Sequence, residues 1–170
     1  MASRIGRILV IGLLGSLLLG ACGSASATSG GSGGTASGSG MKLTTESNSL
    51  GTVLALSNGK TVYMFSSDTS TSSSCTSSCT GVWPPVAASK VIAGAGVSAK
   101  MLGSITRSDG TKQLSYDGHP LYTYSGDTSS GAVTGQGISS FGGTWHVLGA
   151  NGVAITKSAS SSGSSGYGGY

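Results

Sequence analysis

From residue 50 onward the chain is written in short apolar runs, alternating or β-branched, separated at intervals by Asn-Gly or Asp-Gly pairs. In VLALSNGKTVYMF two such runs flank Asn58-Gly59, a pair that readily adopts the positive φ angles of a type I′ hairpin turn. QLSYDGHPLYTY repeats the arrangement around Asp117-Gly118, and SITRSDGTKQLSY and WHVLGANGVAIT predict further turns at Asp109-Gly110 and Asn151-Gly152. Strands of this kind, joined by Gly- and Ser-rich connections, predict an antiparallel all-β body. GVSAKML, residues 96–102, is the one helical candidate, long enough for a turn or two.

The pattern is written twice. NGKTVYMFSSDTS returns 59 residues later as DGHPLYTYSGDTS, which carries Gly59 to Gly118, Tyr63 to Tyr122, Phe65 to Tyr124 and Asp68 to Asp127. Each half closes on a tryptophan segment, WPPV from Trp83 and WHVL from Trp145, at an offset of 62 that a loop insertion accounts for. A tandem duplication is the economical origin. Two antiparallel β-meander repeats, at about residues 50–90 and 105–150 with roughly four strands each, are expected to pack as a small sandwich or barrel-like domain with at most one short helix. Trp83 and Trp145 should then occupy matching places in the core. Pro84 and Pro85 belong at a strand end or an edge, because neither can donate to a ladder.

Strand alternation puts Tyr63 and Phe65 on one face and Val62 and Met64 on the other; Tyr122 and Tyr124 likewise share a face opposite Leu121 and Thr123. Rings so placed are read first as core, because they bury so much area, and second as a ligand platform. Buried tyrosine hydroxyls need polar partners. Asp68 and Asp127, each five residues after its tyrosine and followed by Thr-Ser, are candidates for that bond or for an Asx-type cap on the loop that begins there. The cap is the plainer role. If the repeats pack about a pseudo-twofold axis the two carboxylates could meet, and a pair would bind a cation or share a proton.

Composition changes the picture at the two ends. Arg4 and Arg7 precede a short apolar run at residues 8–19, the layout of a secretory signal. The run is shorter than the roughly 20 apolar residues a membrane helix needs. It ends in LGAC, residues 19–22, which resembles the bacterial lipobox: cleavage before Cys22 leaves a cysteine whose thiol carries the lipid anchor, and two or three acyl chains hold stably where one does not. The alternative is an ordinary signal cut after Ala21. Residues 23–40 are Gly, Ser, Ala and Thr alone, expected to be a flexible tether with an end-to-end distance on the order of 20–25 Å. Residues 158–170 read as a disordered tail, which leaves 41–157 as one domain and 1–21 as the signal peptide. Nine Lys and Arg face five Asp and Glu; without Arg4 and Arg7 the balance is 7 − 5, or +2, scattered, with no basic run to suggest a nucleic acid.

Cys75 and Cys79 remain, in SSSCTSSCTGVWPP, a polar stretch of an exported chain where thiols oxidise, and a local disulfide is the direct reading. A redox pair is weaker, because no charged neighbour lowers a thiol pKa, and a zinc site would have to recruit His119 or His146 from the other half. Neither histidine has a nucleophile or orienting acid beside it in sequence, and each reads as solvent-facing. GGSGG at 30–34 matches G-x-S-x-G without a strand before it or a helix after it, and NGKT at 58–61 has Leu54 where a P-loop has its first glycine. No catalytic residue, metal site or cofactor is expected.

Taken together, Tyr-x-Phe-x-x-Asp at Tyr63 to Asp68, Tyr-x-Tyr-x-x-Asp at Tyr122 to Asp127, the C-x-x-x-C followed by WPP, the stretch from RSDG to GHPLY, and GQG near Trp145 resemble bacterial lipoproteins with a repeated Y-x-(F/W/Y)-x-x-D motif. The resemblance covers nearly all of residues 50–147. It implies a cell-envelope lipoprotein built from secreted repeats and implies no activity. The first copy lacks a proline where His119-Pro120 stands, and the second lacks the cysteine pair, so the halves need not be functionally equal. The reading preferred here is a non-catalytic module, lipid-anchored on the extracytoplasmic face of the cell membrane, that binds a wall component, a small ligand or another envelope protein through the loops bearing Tyr63, Phe65, Asp68, Tyr122, Tyr124 and Asp127. The alternative is an envelope redox or metal-binding protein using Cys75 and Cys79 or Asp68 and Asp127.

Overall fold

In the computed structural model, which describes residues 40–89 and 91–158, the first apolar runs form a hairpin of β1 (Met41–Asn48) and β2 (Gly51–Leu56), with Leu43 opposite Leu56 and Asn48 opposite Gly51. β3 (Tyr63–Phe65) follows, then α1 (Ser78–Val82), a five-residue helix within the cysteine loop, and β4 (Val91–Ala93), which runs parallel to β1. The second copy opens with the matching hairpin, β5 (Leu102–Thr106) and β6 (Lys112–Tyr116), and continues through β7 (His119–Pro120), β8 (Ser139–Ser140) and β9 (Gly143–Val147). The expected helix at 96–102 is a single 3₁₀ turn, Ala99–Met101. The expected leader, Cys22 and the tether to residue 39 lie outside the described residues, as does the tail from 159.

The body is all-β, as the turn pattern predicts, with three small sheets in the orders β2-β1-β4, β3-β9-β8 and β5-β6-β7 among the described residues and no closed barrel. The alternation predicted around the tyrosines holds on both faces. Val62, Met64 and Leu121 enter one apolar cluster with Leu43, Leu54 and Leu148, while Tyr63, Phe65 and Tyr122 enter a second with Trp83, Trp145 and Cys75. The short motif strands are thus a middle layer buried on both sides. That explains why they are apolar or aromatic at every position from Val62 to Phe65.

One turn differs from expectation. Asp117 and Gly118 both have positive φ, 48° and 79°, the requirement of a two-residue type I′ loop. At Asn58-Gly59 only the glycine does, at 81°; Gly59 N–H bonds the Leu56 carbonyl and Leu56 N–H the Lys60 carbonyl, both at 2.8 Å, which makes a three-residue loop closed by a left-handed glycine. Asp109-Gly110 and Asn151-Gly152 take this longer form too, each with the Asn or Asp side chain accepting the N–H two residues on. The cause is length. Leu54 and Leu114 hold matching places in the two repeats, as do Val62 and Leu121, so the second copy is one residue shorter across this turn and must close with two residues.

The halves are interlocked. β3 of the first repeat pairs with β9 of the second, Phe65 opposite Trp145, while residues 121–125 of the second pair with residues 82–86 of the first through Val86 N–H to the Leu121 carbonyl, Thr123 N–H to Pro84 and Ser125 N–H to Val82. Pro84 and Pro85 sit here at the edge of a ladder, where neither is asked to donate. Each repeat therefore completes the other's sheet. We predict that the half-chains 40–98 and 99–158 show no near-ultraviolet circular dichroism alone and recover it on equimolar mixing; a native-like signal from either half by itself would refute the interlock.

Candidate functional site

The strands of the two motifs meet at their tyrosines. Tyr63 and Tyr122 lie opposite one another, and each backbone N–H donates to the other's carbonyl at 2.9 Å, so the pseudo-twofold axis passes between them. Their side chains then cross the axis. The Tyr63 hydroxyl donates to Asp127 Oδ2 at 2.6 Å, and the Tyr122 hydroxyl donates to Asp68 Oδ2. Each aspartate meanwhile caps its own loop: Asp68 Oδ1 accepts from the N–H and hydroxyl of Ser74 at 2.8 and 3.0 Å, and Asp127 Oδ1 from those of Thr134 at 3.0 and 2.6 Å. The two roles weighed for these carboxylates are filled at once, and each carboxylate is taken up by three donors rather than by the other.

The rings repeat the crossing. Phe65 stacks on Trp145 at 4.2 Å, Trp145 on Trp83 at 3.9 Å and 2°, and Trp83 on Tyr124 at 4.3 Å, so the second aromatic of each motif covers the tryptophan of the opposite repeat. Tyr63 and Tyr122 meet the edges of Trp83 and Trp145, at 5.3 and 5.1 Å. Offset and edge contacts of this type contribute about 0.5–1.5 kcal/mol each beyond area burial. Trp83 and Trp145, Tyr63 and Tyr122 are fully buried, and only Tyr124 and Asp68 of the motif residues are partly exposed. The twice-written phrase is scaffold.

Sequence reasoning missed the groups that surround it. Arg107, which was not singled out from the sequence, is buried; its guanidinium donates to Ser73 Oγ at 2.9 Å, to Gln113 Oε1 at 2.5 Å and to the Cys75 carbonyl, and lies 3.9 Å from Asp109. Ser73 Oγ in turn bonds the Tyr122 hydroxyl at 2.6 Å, which ties the guanidinium to the crossed pair. Gly135, in the GQG noted above, is small by necessity: a Cβ there would lie 2.8 Å from the Trp83 ring and 3.0 Å from that of Tyr63. The matching place in the first repeat is Cys75, bonded to Cys79 with 5.3 Å between their Cα atoms and buried against the aromatic cluster. His146 lies opposite Met64 and His119 opposite Tyr116. Neither pairs with a carboxylate among the described residues.

Burial, then the bond to Asp68, raises the Tyr122 hydroxyl from its ordinary value of 10.0 to about 12. Tyr63 is raised further, by deeper burial and then by its bond to Asp127. In neither case is the phenol poised as an acid near neutrality.

What the scaffold leaves open is a cleft of about 400 Å³ between the β1–β2 hairpin and residues 85–89, walled by Met41, Leu56, Pro85, Val86 and Val91, with Lys60 also in its lining. A smaller polar hollow of about 110 Å³ adjoins it, sharing Asn58 and Lys60 and lined also by Asp127, Thr128, Ser129 and Ser130. Lys60 Nζ donates to the Asp127 carbonyl at 3.3 Å and faces no carboxylate among the described residues. None of the motif rings lines the cleft; nothing in the sequence pattern marked it.

A family model described as a secreted repeat of unknown function matches the chain twice, over residues 44–87 and 103–149, starts 59 and ends 62 residues apart as in the repeat read from the sequence. The chain belongs to this family. No curated protein and no solved structure matches. A secreted repeat works outside the cytoplasm, and no helix among the described residues is long and apolar enough to cross a membrane.

Two outcomes are expected of the scaffold. Because the native pKa of Tyr122 lies above that of the unfolded chain, the unfolded state loses its proton first; the stability this group contributes is full below pH 10 and is lost as pH rises toward about 12. An alkaline titration followed by phenolate absorbance should therefore show Tyr63 and Tyr122 ionising only together with loss of the fold, and ionisation of both within an intact fold would contradict the pairing. Replacing Asp127 by Ala strands the buried Tyr63 O–H and the Thr134 donors, and should lower unfolding free energy by about 2–4 kcal/mol, measured by chemical denaturation.

Proposed function

We propose that this secreted-repeat protein is a lipid-anchored, non-catalytic binding module of the cell envelope, held at the extracytoplasmic face of the membrane through Cys22 and presenting the cleft beside β1 to a wall component or envelope protein. The observation that carries this reading is a division of labour. The tyrosines and aspartates that could do proton chemistry are engaged across the repeats, while none of them lines the open cleft, where Lys60 is the charged group among the described residues. The cleft volume falls within the roughly 300–1,000 Å³ of ligand sites.

The anchor reading draws its support from LGAC at the end of the apolar leader and from the secreted character of the family. Met41, the first residue of β1, lines the cleft, so the chain from the anchor enters the domain at the cleft's edge. A redox role for Cys75 and Cys79 is less well supported, because the pair is buried in the aromatic cluster without ready access, and the neighbouring Arg107 guanidinium is engaged by Ser73, Gln113 and the Cys75 carbonyl. Cation binding by Asp68 and Asp127 would have to displace donors already in place.

Expressed at full length in a bacterial host, the wild-type chain is expected in the membrane fraction with a lipid mass on the Cys22 peptide, and Cys22→Ala in the soluble exported fraction. An unmodified Cys22 in a soluble wild-type chain would overturn the anchor.

A further inference from the structure

The duplication supplies its own comparison for the cleft. Residues 147–149 of the second repeat match 85–87 of the first, since Leu54 N–H bonds the Leu148 carbonyl at 2.8 Å and Leu114 N–H the Val86 carbonyl at 2.7 Å. In the second repeat the outer edge of this segment is covered by the chain itself. Residues 153–155 return as an antiparallel strand: Ile155 N–H donates to the Val147 carbonyl and Gly149 N–H to the Val153 carbonyl, each at 2.9 Å, with Leu148 opposite Ala154.

In the first repeat the matching residues, 91–93, go elsewhere and pair with β1 as β4. The edge they leave is open. The N–H and C=O of Val86 and the N–H of Ala88 are spent on Leu121 and β6, so the N–H and C=O of Ala87 and the C=O of Pro85 point out of that ladder, and they meet no partner among the described residues. Both residues line the cleft.

We infer that the cleft binds a short extended L-peptide, added antiparallel along residues 85–87 as Val153-Ala154-Ile155 is along 147–149, with its free C-terminal carboxylate at Lys60. An open edge next to apolar pockets is the setting for strand addition, in which main-chain bonds supply affinity and pockets supply specificity. Direction follows from the ladder. An antiparallel ligand points its C-terminus toward the Pro85 end; there residues 123–125 pair with 82–84 and lead to Asp127, whose carbonyl holds Lys60 Nζ. An ammonium has three donors, and only one is used here. The apolar walls and the volume suit small aliphatic side chains like those of the self-bound strand. The partner so defined is the C-terminal tail of an envelope protein.

This inference rests on the cleft being the binding surface, and the test separates the two. The Cys22→Ala chain, otherwise complete, is titrated by NMR with N-acetyl-Val-Ala-Ile as free acid and as C-terminal amide, with the acid ending in D-Ala-D-Ala, and with toluene as an apolar probe. The acid is expected to shift the Ala87 and Lys60 resonances and to bind at least about tenfold more tightly than the amide. Lys60→Met should bring the acid down to the amide's affinity and leave the amide unchanged. Ala87→Pro, which removes an N–H the fold does not use, should abolish both, with an unchanged alkaline titration confirming the fold. Equal affinity of acid and amide, or full binding by Ala87→Pro, overturns the inference, as does tighter binding of the D-Ala-D-Ala peptide. Toluene binding in the cleft without any peptide binding overturns the peptide and leaves the binding surface standing; binding of no probe overturns both.

Discussion

The crossed bonds from Tyr63 to Asp127 and from Tyr122 to Asp68 are the constraint on which the rest of the domain depends. Each joins residues more than fifty positions apart in the chain, so each closes a long loop and is formed only when both repeats are in place. Each is a hydrogen bond to a carboxylate, buried at Asp127 and part-buried at Asp68, and costly to leave half made. Because each aspartate also caps the loop that follows it, the same carboxylate fixes a local turn and a distant strand. Local order in one repeat is thereby conditional on the presence of the other, and a fold so dependent on non-local contacts is expected to form slowly and all at once.

The aromatic stack is the apolar expression of the same crossing. Trp83 and Trp145 can lie face to face only because the strands carrying Phe65 and Tyr124 each pair with the opposite repeat's tryptophan segment. A middle layer only a few residues long has little area of its own, and burying both its faces is how such short strands are held. The disulfide acts at the periphery of this layer: it closes a five-residue loop, contributing about 2 kcal/mol by chain entropy, and holds the Cys75 carbonyl where Arg107 donates to it.

The strands, their inward faces and the duplication were legible because they are local or periodic facts. Tyr63 and Phe65 fall on one side and Val62 and Met64 on the other wherever the strand is placed. The crossing was not legible, and there is a physical reason: when two repeats carry near-identical strands, pairing within a repeat and pairing between repeats satisfy the same local pattern, and only loop lengths and the whole core decide between them. The turn at Asn58-Gly59 shows this on a small scale, since the dipeptide permits two loop types and the register of the flanking strands selects one. The burial of Arg107 was not legible for a related reason. A charged residue beside an Asp-Gly turn is ordinarily solvated, and this one is buried because the 73–75 loop, brought in from the other repeat, supplies its acceptors.

Where the halves depart from one another, symmetry no longer explains what is there. Arg107 and Gln113 stand where the first repeat has Asn48 and Val53; the disulfide stands where the second has Gly135; and Lys60 stands where the second has His119. The deepest difference is in the backbone. After its tryptophan segment the second repeat turns at Asn151-Gly152 and covers its own edge, whereas the first sends the same stretch to β1 and leaves the edge bare. An exposed edge is a liability that folded proteins normally cover, and this chain carries the covering device in one half and diverts it in the other. Stability alone would favour covering both. Among the described residues this duplicated scaffold closes one of two matching edges and leaves the other open beside Lys60, and it is on that asymmetry, not on the symmetric core, that the proposed binding role rests.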